Sequence, residues 1–292
     1  MEKMGASVKF IEIPRFPESH RNIRHSKSYF FLYHYLRNPR YRTKWTNDLL
    51  DNIRNRRYDI LFCIGDVPFK DYFLDEIKAM NPKIQTYLFL WDRFSIVYVP
   101  PRTIQKFDYK FSFDRDDCAK VEGLQYLPDF YIQKGKSIET PLKYDVCVIA
   151  TCNENRLHTS SVLKDFCERN GLKPFIYLLS SEYSEKYDFV KKQRLTTDEV
   201  DKIQNQSRCI FDFSYKGRQG LTLNAIAALA KGKKLITSNV RIKDEAFYDP
   251  HNIYFYDFDK PQFDVEFFRS EARQLKMDNL RLDNWLKFIL CR

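Results

Sequence analysis

One stretch of this chain, residues 208–239, has the pattern of a single βαβ unit, and such a unit commits a chain to a parallel sheet. Residues 209–213 are an apolar run that predicts a short strand, and residues 214–220 form a polar turn with two glycines. A helix is predicted over 221–230 and a second strand over 234–237, after a turn at Gly232. Parallel strands need a crossover connection of this kind.

The turn of this unit has the chemistry of a phosphate site. Its polar residues, with the residue that opens the helix, are Lys216, Arg218, Gln219 and Thr222. Unpaired N–H groups in a first helical turn, the positive end of the helix dipole and nearby cations together bind anions. Gly217 and Gly220 would let the backbone approach a phosphate closely. The alternative is an ordinary α/β turn in which Thr222 only caps its helix.

The rest of the chain alternates strands with helices. Strands are predicted over 8–13, 59–65, 85–90, 108–113, 144–150 and 174–179, and helices over 30–36, 69–80 and 280–290. Trp45, Leu49 and Ile53 recur every four residues and predict one more helix with an apolar stripe. This alternation predicts an α/β fold with doubly wound parallel sheets. The polar stretch 128–141 interrupts the rhythm, so we predict two Rossmann-like domains, 1–135 and 136–292.

Several segments resemble one family in the same order along the chain. They are LFLWD (88–92), FDYKFSFDRDD (107–117), LQYLP (124–128), GLTLNAIAALAKGKKLITSN (220–239) and IKDEAFYDPHNI (242–253). They are similar to bacterial glycosyltransferases of the GT-B fold from capsule and lipopolysaccharide-core biosynthesis. The resemblance implies two Rossmann-like domains facing a cleft, a nucleotide-sugar donor held by the second domain, and a saccharide or lipid-linked saccharide acceptor. It also implies that the last helix crosses back to the first domain.

Two residues depart from that family's pattern. In the helix after GLT, this chain has Asn224 where the family usually has Arg, and Ala227 where it has Glu. The family's Glu resembles the residue that holds the donor ribose in many GT-B enzymes. The departures leave open a second function, in which the chain is a non-catalytic, glycosyltransferase-like protein that binds saccharide or assists assembly.

Three aspartates follow strands of the first domain. They are Asp66, Asp92 and Asp114, and ligands bind beyond the carboxyl ends of strands in open α/β sheets. Sugar transfer needs a base for the acceptor hydroxyl, and a carboxylate can supply it. We therefore predict these three as catalytic candidates, with Asp92 preferred. The alternative role for an aspartate at a strand end is a helix cap or turn.

Donor-binding residues are predicted at two turns of the second domain. Asn153 and Arg156 follow the strand 144–150, and Arg156 has the fork geometry that clamps a phosphate bidentately. Its alternative is a surface ion pair with Glu154 or Asp165. The complete predicted donor set is Asn153, Arg156, Lys216, Arg218, Gln219, Gly220, Leu221, Thr222 and Asn224.

Metal and other cofactors are not expected. Asp114 and Asp116 form a DxD pattern that could hold Mn²⁺ or Mg²⁺, but Asp257 and Asp259 repeat it, which shows how readily it arises. The seven cysteines lack paired CxxC spacing and lie mostly in apolar segments, which indicates reduced, packed thiols.

The net charge of +10 is concentrated near the amino terminus. Residues 15–57 contain eleven basic and three acidic side chains, interleaved with aromatic residues. This composition suits an anionic membrane surface, while an amphipathic region with inward aromatics remains the alternative. Nucleic acid, supported by charge alone, is not the expected partner. The chain has no apolar run that predicts a membrane span or signal peptide, so we expect a cytoplasmic protein, peripheral at the inner face of the cytoplasmic membrane.

Overall fold

Two units, Met1–Pro128 and Asp129–Arg292, make up the chain, and each contains its own all-parallel sheet. The computed structural model describes residues 1–11, 38–95, 97–133, 140–214 and 220–290. The sequence placed the domain boundary slightly later, after residue 135. The predicted α/β class with two Rossmann-like sheets is confirmed.

The first unit has a four-stranded sheet in the order β1-β2-β3-β4. Its strands are β1 (Ile60–Ile64), β2 (Gln85–Leu90), β3 (Tyr109–Ser112) and β4 (Gln125–Tyr126), and its helices are α1 (Pro39–Ile53), α2 (Tyr72–Met80), α3 (Pro101–Ile104) and α4 (Arg115–Lys120). The Asn38 side chain accepts hydrogen bonds from the N–H groups of Arg40 and Tyr41, and Pro39 opens α1 with a fixed φ. Leu74, Leu88 and Leu90 are fully buried in the core of this unit.

The stripe predicted for α1 is confirmed. Leu49 and Ile53 are buried, and Trp45 packs against the same core with its ring stacked on that of Phe69 at 6.3 Å. In the described part of the basic segment, Trp45 thus points inward. Residues 15–37 of that segment lie outside the described residues, so membrane binding there stays a prediction.

The second unit has a six-stranded sheet in the order β10-β9-β8-β5-β6-β7. Its strands are β5 (Tyr144–Thr151), β6 (Pro174–Leu179), β7 (Val190–Lys191), β8 (Ser207–Asp212), β9 (Lys234–Thr237) and β10 (Ile253–Phe255). Its helices are α5 (Glu154–Arg169), α6 (Thr197–Asn205), α7 (Leu223–Ala230), α8 (Val265–Arg269) and α9 (Leu282–Leu290). The predicted βαβ unit is therefore β8-α7-β9, with the helix beginning two residues later than expected.

The strand order of this sheet reverses at β5. The chain runs outward from β5 through β6 to β7, then returns to place β8 on the other side of β5 and continues to β9 and β10. Chain connections consequently leave β5 and β8 in opposite directions. In open α/β sheets, ligands usually bind outside the carboxyl ends of the two strands at such a switch point.

The last helix, α9, is anchored within the second unit. Trp285 is buried and its ring lies 4.9 Å from that of Phe130, while Tyr131 pairs with Arg281 in an isolated parallel bridge. The predicted crossing of this helix to the first unit stays a prediction. Among the described residues, no helix combines the length and apolarity that crossing a membrane requires.

Some element predictions were wrong or incomplete. Residues 8–11, predicted as part of a first strand, form no strand, and the predicted helix 30–36 lies outside the described residues. The predictions omitted β4, β7 and β10. Each has only two or three residues, too few for periodicity to mark, and each forms because a neighbouring strand offers hydrogen-bonding groups.

The cysteines of the second sheet are packed as predicted. Cys147, Cys167 and Cys209 are buried and free of disulfide bonds. Burial raises the pKa of each of these thiols to about 12. They serve as small apolar side chains of the core.

Candidate functional site

Two turns that the sequence singled out follow the adjacent strands β5 and β8. One turn follows β5 and leads into α5 through Asn153, whose side-chain oxygen accepts a hydrogen bond from the N–H of Arg156 at 2.9 Å. The other turn follows β8 and leads into α7. Its central residues, including Lys216, Arg218 and Gln219, lie outside the described part of the chain, and their donor-binding role stays a prediction.

Arg156 lies between the carboxyl ends of β5 and β8. Its guanidinium donates to the carbonyl of Thr151 at 2.9 Å and to the Thr151 hydroxyl at 2.6 Å, both at the end of β5. The same group stands 5.4 Å from the ring centre of Phe213, which directly follows β8, a distance that permits a cation–π contact. Arg156 is half-buried and held by both strands. Its fixed positive charge therefore lies at the switch point of the sheet.

Thr222 is the cap of α7. Its hydroxyl oxygen accepts a hydrogen bond from the N–H of Ala225 at 3.0 Å, and its proton is donated to Asp212 at 2.6 Å. Asp212 ends β8, is buried, and also accepts from the Thr237 hydroxyl at 3.2 Å. The capping alternative considered for Thr222 is therefore present, and any contact of Thr222 with an anion would come from its backbone N–H.

The remaining predicted donor residues are structural neighbours of α7. The Gly220 carbonyl accepts from the side chain of Asn239 at 3.0 Å, and Leu221 is buried. The Asn224 side-chain oxygen accepts from Gln204 at 2.8 Å, which directs it toward α6. Ala227 lies one turn beyond Leu223, which is 44% exposed, so this exposed face of α7 has no carboxylate.

The first unit places Asp66 and Asp92 at the ends of the neighbouring strands β1 and β2. The Asp66 carboxylate accepts a hydrogen bond from the N–H of Tyr98. Burial raises the pKa of Asp66, the Tyr98 hydrogen bond opposes this, and the charge of Asp92 raises it further. The two carboxylates are therefore electrostatic neighbours. A pair of this kind is a common arrangement for acid–base chemistry.

Asp114, the third predicted catalytic aspartate, is fully buried and caps α4. Its carboxylate accepts from the N–H groups of Asp116 at 2.9 Å and Asp117 at 3.4 Å, and it lies 3.5 Å from the Arg93 guanidinium as an ion pair. These contacts account for Asp114 as a cap and counter-ion. The capping alternative thus describes Asp114, whereas Asp66 and Asp92 form a half-buried pair at neighbouring strand ends.

The DxD patterns serve local turns. Asp114 accepts from the N–H of Asp116, and Asp257 accepts from the N–H groups of Asp259 at 2.8 Å and Lys260 at 3.1 Å. Within the described residues, no group of three or more histidine, cysteine, aspartate or glutamate side chains is placed to hold a metal ion.

Sequence reasoning missed two residues that shape the carboxyl edges of the sheets. Trp91 is 45% exposed directly before Asp92, and a Cβ atom on Gly65 would lie 3.1 Å from its indole nitrogen. Gly65 also has a φ of 77°, a backbone conformation that residues with a side chain rarely adopt. Asp212 was missed as well, although its position at the end of a predicted strand was the same signal that marked Asp66.

These observations define the class of the protein. It is an α/β protein with two all-parallel sheets of four and six strands, consistent with two Rossmann-like units. Neither a protein-family model nor a curated protein sequence matches the chain.

Proposed function

We propose that this chain is a nucleotide-sugar-dependent glycosyltransferase that acts on a saccharide or lipid-linked saccharide. The observation that carries the proposal is the position of Arg156 at the switch point between β5 and β8. A fixed guanidinium beside the amino terminus of a sixteen-residue helix favours a dianionic group such as a diphosphate. The glycosyl-transfer activity itself rests on the resemblance of the sequence to GT-B enzymes.

In this proposal the two units have different tasks. The second unit holds the nucleotide diphosphate, and its cation stabilises the charge that develops as the nucleotide leaves. The first unit supplies Asp92 as the base that takes the proton of the acceptor hydroxyl, with Asp66 at the end of the neighbouring strand. The exposed indole of Trp91 gives the acceptor an apolar surface next to that base.

The cellular setting follows from the same resemblance. Capsule and lipopolysaccharide-core transferases work on the cytoplasmic side of the membrane with lipid-linked acceptors. The basic, aromatic composition of residues 15–57 suits an anionic lipid surface there. No metal is needed in this proposal, because the charge at the diphosphate is met by Arg156 and the amino termini of helices.

A second candidate function is a non-catalytic protein that keeps the fold and binds saccharide. The hydrogen bond between Asn224 and Gln204 favours it, because that bond directs the amide at the family's arginine position toward α6. Ala227, at the family's glutamate position, adds no acceptor for ribose hydroxyls.

Nucleotide titration separates the two candidates. The wild type is first screened by thermal shift against UDP, GDP, ADP and CDP, because a bound ligand stabilises the folded state in proportion to its affinity. The best nucleotide is then titrated calorimetrically into the wild type, Arg156→Gln and Arg169→Gln. Arg169 is the matched control, since it is an exposed arginine at the other end of the same helix.

We expect Arg156→Gln to weaken binding by about ten- to a hundredfold, the usual range for a hydrogen bond to a charged group. Arg169→Gln should bind like the wild type. A wild type that binds none of the four nucleotides contradicts the donor site and favours the non-catalytic candidate. Equal affinity in all three proteins would place the nucleotide elsewhere.

A further inference from the structure

Two large apolar side chains are exposed at the carboxyl edge of the first sheet. Ile64, the last residue of β1, is 40% exposed, and Trp91, which directly follows β2, is 45% exposed. The neighbouring strand residues differ, since Phe89 and Leu90 are fully buried. The other exposed large apolar side chains described in this unit lie within residues 4–11. Ile64 and Trp91 therefore form an apolar surface where the strands end, and surfaces of this kind often bind ligands.

Gly65 fixes the place of the Trp91 ring. Its N–H donates to the Phe89 carbonyl at 2.9 Å, which joins the end of β1 to β2. A Cβ atom at Gly65 would lie 3.1 Å from the indole nitrogen and 3.6 Å from Cδ1, so the nitrogen edge of the indole contacts the glycine backbone. Any larger residue at position 65 would displace the ring. The shape of the β1 end thus holds Trp91 in position.

A carboxylate follows each of the two residues in this contact. Asp66 comes directly after Gly65, and Asp92 directly after Trp91. Both carboxylates are half-buried, and that of Asp66 accepts the N–H of Tyr98. The backbone contact between the two strand ends therefore places hydrogen-bond acceptors beside the exposed indole.

The next cation along the chain does not offset these two carboxylates. Arg93 follows Asp92, and its guanidinium pairs with the fully buried Asp114 at 3.5 Å. The charge of Arg93 is therefore balanced by Asp114. The groups next to Trp91 are two acceptors with negative charge.

This combination suits an uncharged pyranose. One face of a hexopyranose ring presents C–H groups, which pack against an aromatic ring, and its rim carries hydroxyl groups that donate to carboxylates. Ligand sites commonly combine apolar and aromatic side chains with a few polar groups in this way. A sugar that carries its own carboxylate or phosphate would meet like charges here, which selects against it.

We infer that the first unit binds an uncharged hexopyranose, with the apolar face of the sugar on Trp91 and Ile64 and its hydroxyls toward Asp66 and Asp92. The inference rests on the proposed function and adds the class of acceptor, whose sugar next to the base is a neutral hexose rather than a uronic acid or a sugar phosphate. The same subsite would serve the non-catalytic candidate.

The test measures saccharide binding without nucleotide. Methyl β-D-glucopyranoside and methyl β-D-galactopyranoside are compared with the matching methyl glycosides of glucuronic and galacturonic acid, which differ from them only by a carboxylate at C6. Saturation-transfer NMR titration gives the affinities. The wild type should bind at least one neutral glycoside, and about tenfold more tightly than its acidic counterpart, because like charges at a binding site oppose association.

Three variants and one control assign the binding to this edge. Trp91→Ala should weaken the binding of the neutral glycoside by about five- to tenfold, and Trp91→Phe should retain most of it, since an aromatic ring remains. Asp92→Asn should reduce the discrimination against the acidic glycoside. Phe10→Ala removes another exposed aromatic side chain of the first unit and should bind like the wild type. Circular dichroism verifies that each variant is folded.

Three results would overturn the inference: no neutral glycoside binds the wild type, the acidic glycoside binds equally well, or Trp91→Ala binds like the wild type. The nucleotide titration of Arg156→Gln is independent of all three. If saccharide binds and nucleotide does not, the transferase proposal fails and the subsite belongs to the non-catalytic candidate. If nucleotide binds and saccharide does not, the donor site stands and this inference fails.

Discussion

Asp66 and Asp92 stand at neighbouring strand ends, and the charge of one affects the titration of the other. We predict that Asp92→Asn lowers the pKa of Asp66, because the substitution removes a like charge while preserving the size of the side chain. Carbon-detected NMR titration of the Asp66 carboxyl measures its pKa directly. Asp59→Asn is the control, since Asp59 precedes the opposite end of β1 and is exposed. If the pKa of Asp66 is the same in Asp92→Asn and in the wild type, the two carboxylates do not interact electrostatically.

The direction of the pKa shift of Asp66 also determines how the ionisation of Asp66 changes stability with pH. A folded-state pKa above the ordinary 3.8 means that the folded protein holds the proton more tightly than the unfolded chain does. The Asp66 contribution to stability is therefore greatest in acid and is lost as the pH rises through its folded pKa. Asp66→Asn keeps an acceptor for the Tyr98 N–H and should remove this part of the pH dependence.

At the scale of elements, α1 is tied to the loop that carries Asp66. Arg42 is buried, donates to the carbonyls of Pro68 at 2.9 Å and Phe69 at 2.7 Å, and lies 5.0 Å from the ring centre of Tyr98. The N–H of Tyr98 is the donor to Asp66. The Arg42 guanidinium thus contacts both Pro68–Phe69, which follow Asp66, and Tyr98, whose N–H donates to the Asp66 carboxylate.

We predict that Arg42→Met lowers the free energy of unfolding by about 1–3 kcal/mol, because buried carbonyls lose their donors. Chemical denaturation measures the change. Arg40→Met, on an exposed position of the same helix, should change it by less than about 0.5 kcal/mol. Equal effects of the two substitutions would contradict the role of Arg42 in holding α1 to the loop that carries Asp66.

The sequence could predict the long helices and strands but not the hydrogen bonds, such as those of Arg42, that join them. Strands β1, β2, β5 and β6 are mostly apolar, and parallel pairing then places the residues that follow them at one edge. Asp66, Asp92 and Arg156 could be nominated by this logic. The bonds of Arg42 could not, since they join residues 26 and 27 positions apart and depend on how a helix packs. Asp114 shows the converse, because burial and capping decide its role and neither is visible in a strand-end pattern.

At the scale of the whole molecule, the two units have separate hydrophobic cores. Leu74 on α2 belongs to the first core and Leu163 on α5 to the second, and both side chains are fully buried. We predict that Leu74→Ala and Leu163→Ala each destabilise their own unit by about 2–5 kcal/mol. Hydrogen exchange read by mass spectrometry should show faster exchange only in the unit that carries the substitution. Faster exchange throughout the chain in both variants would indicate a single cooperative unit.

The buried thiols of the second unit can report the opening of that unit. With the pKa of Cys147, Cys167 and Cys209 raised to about 12, only about one molecule in 10⁵ carries a given thiolate at neutral pH, and alkylating reagents attack the thiolate. Burial also shields the sulfur atoms from reagent. Alkylation of these three cysteines in native buffer therefore requires β5, α5 and β8 to open, and the extent of modification over time reports that opening without any introduced label.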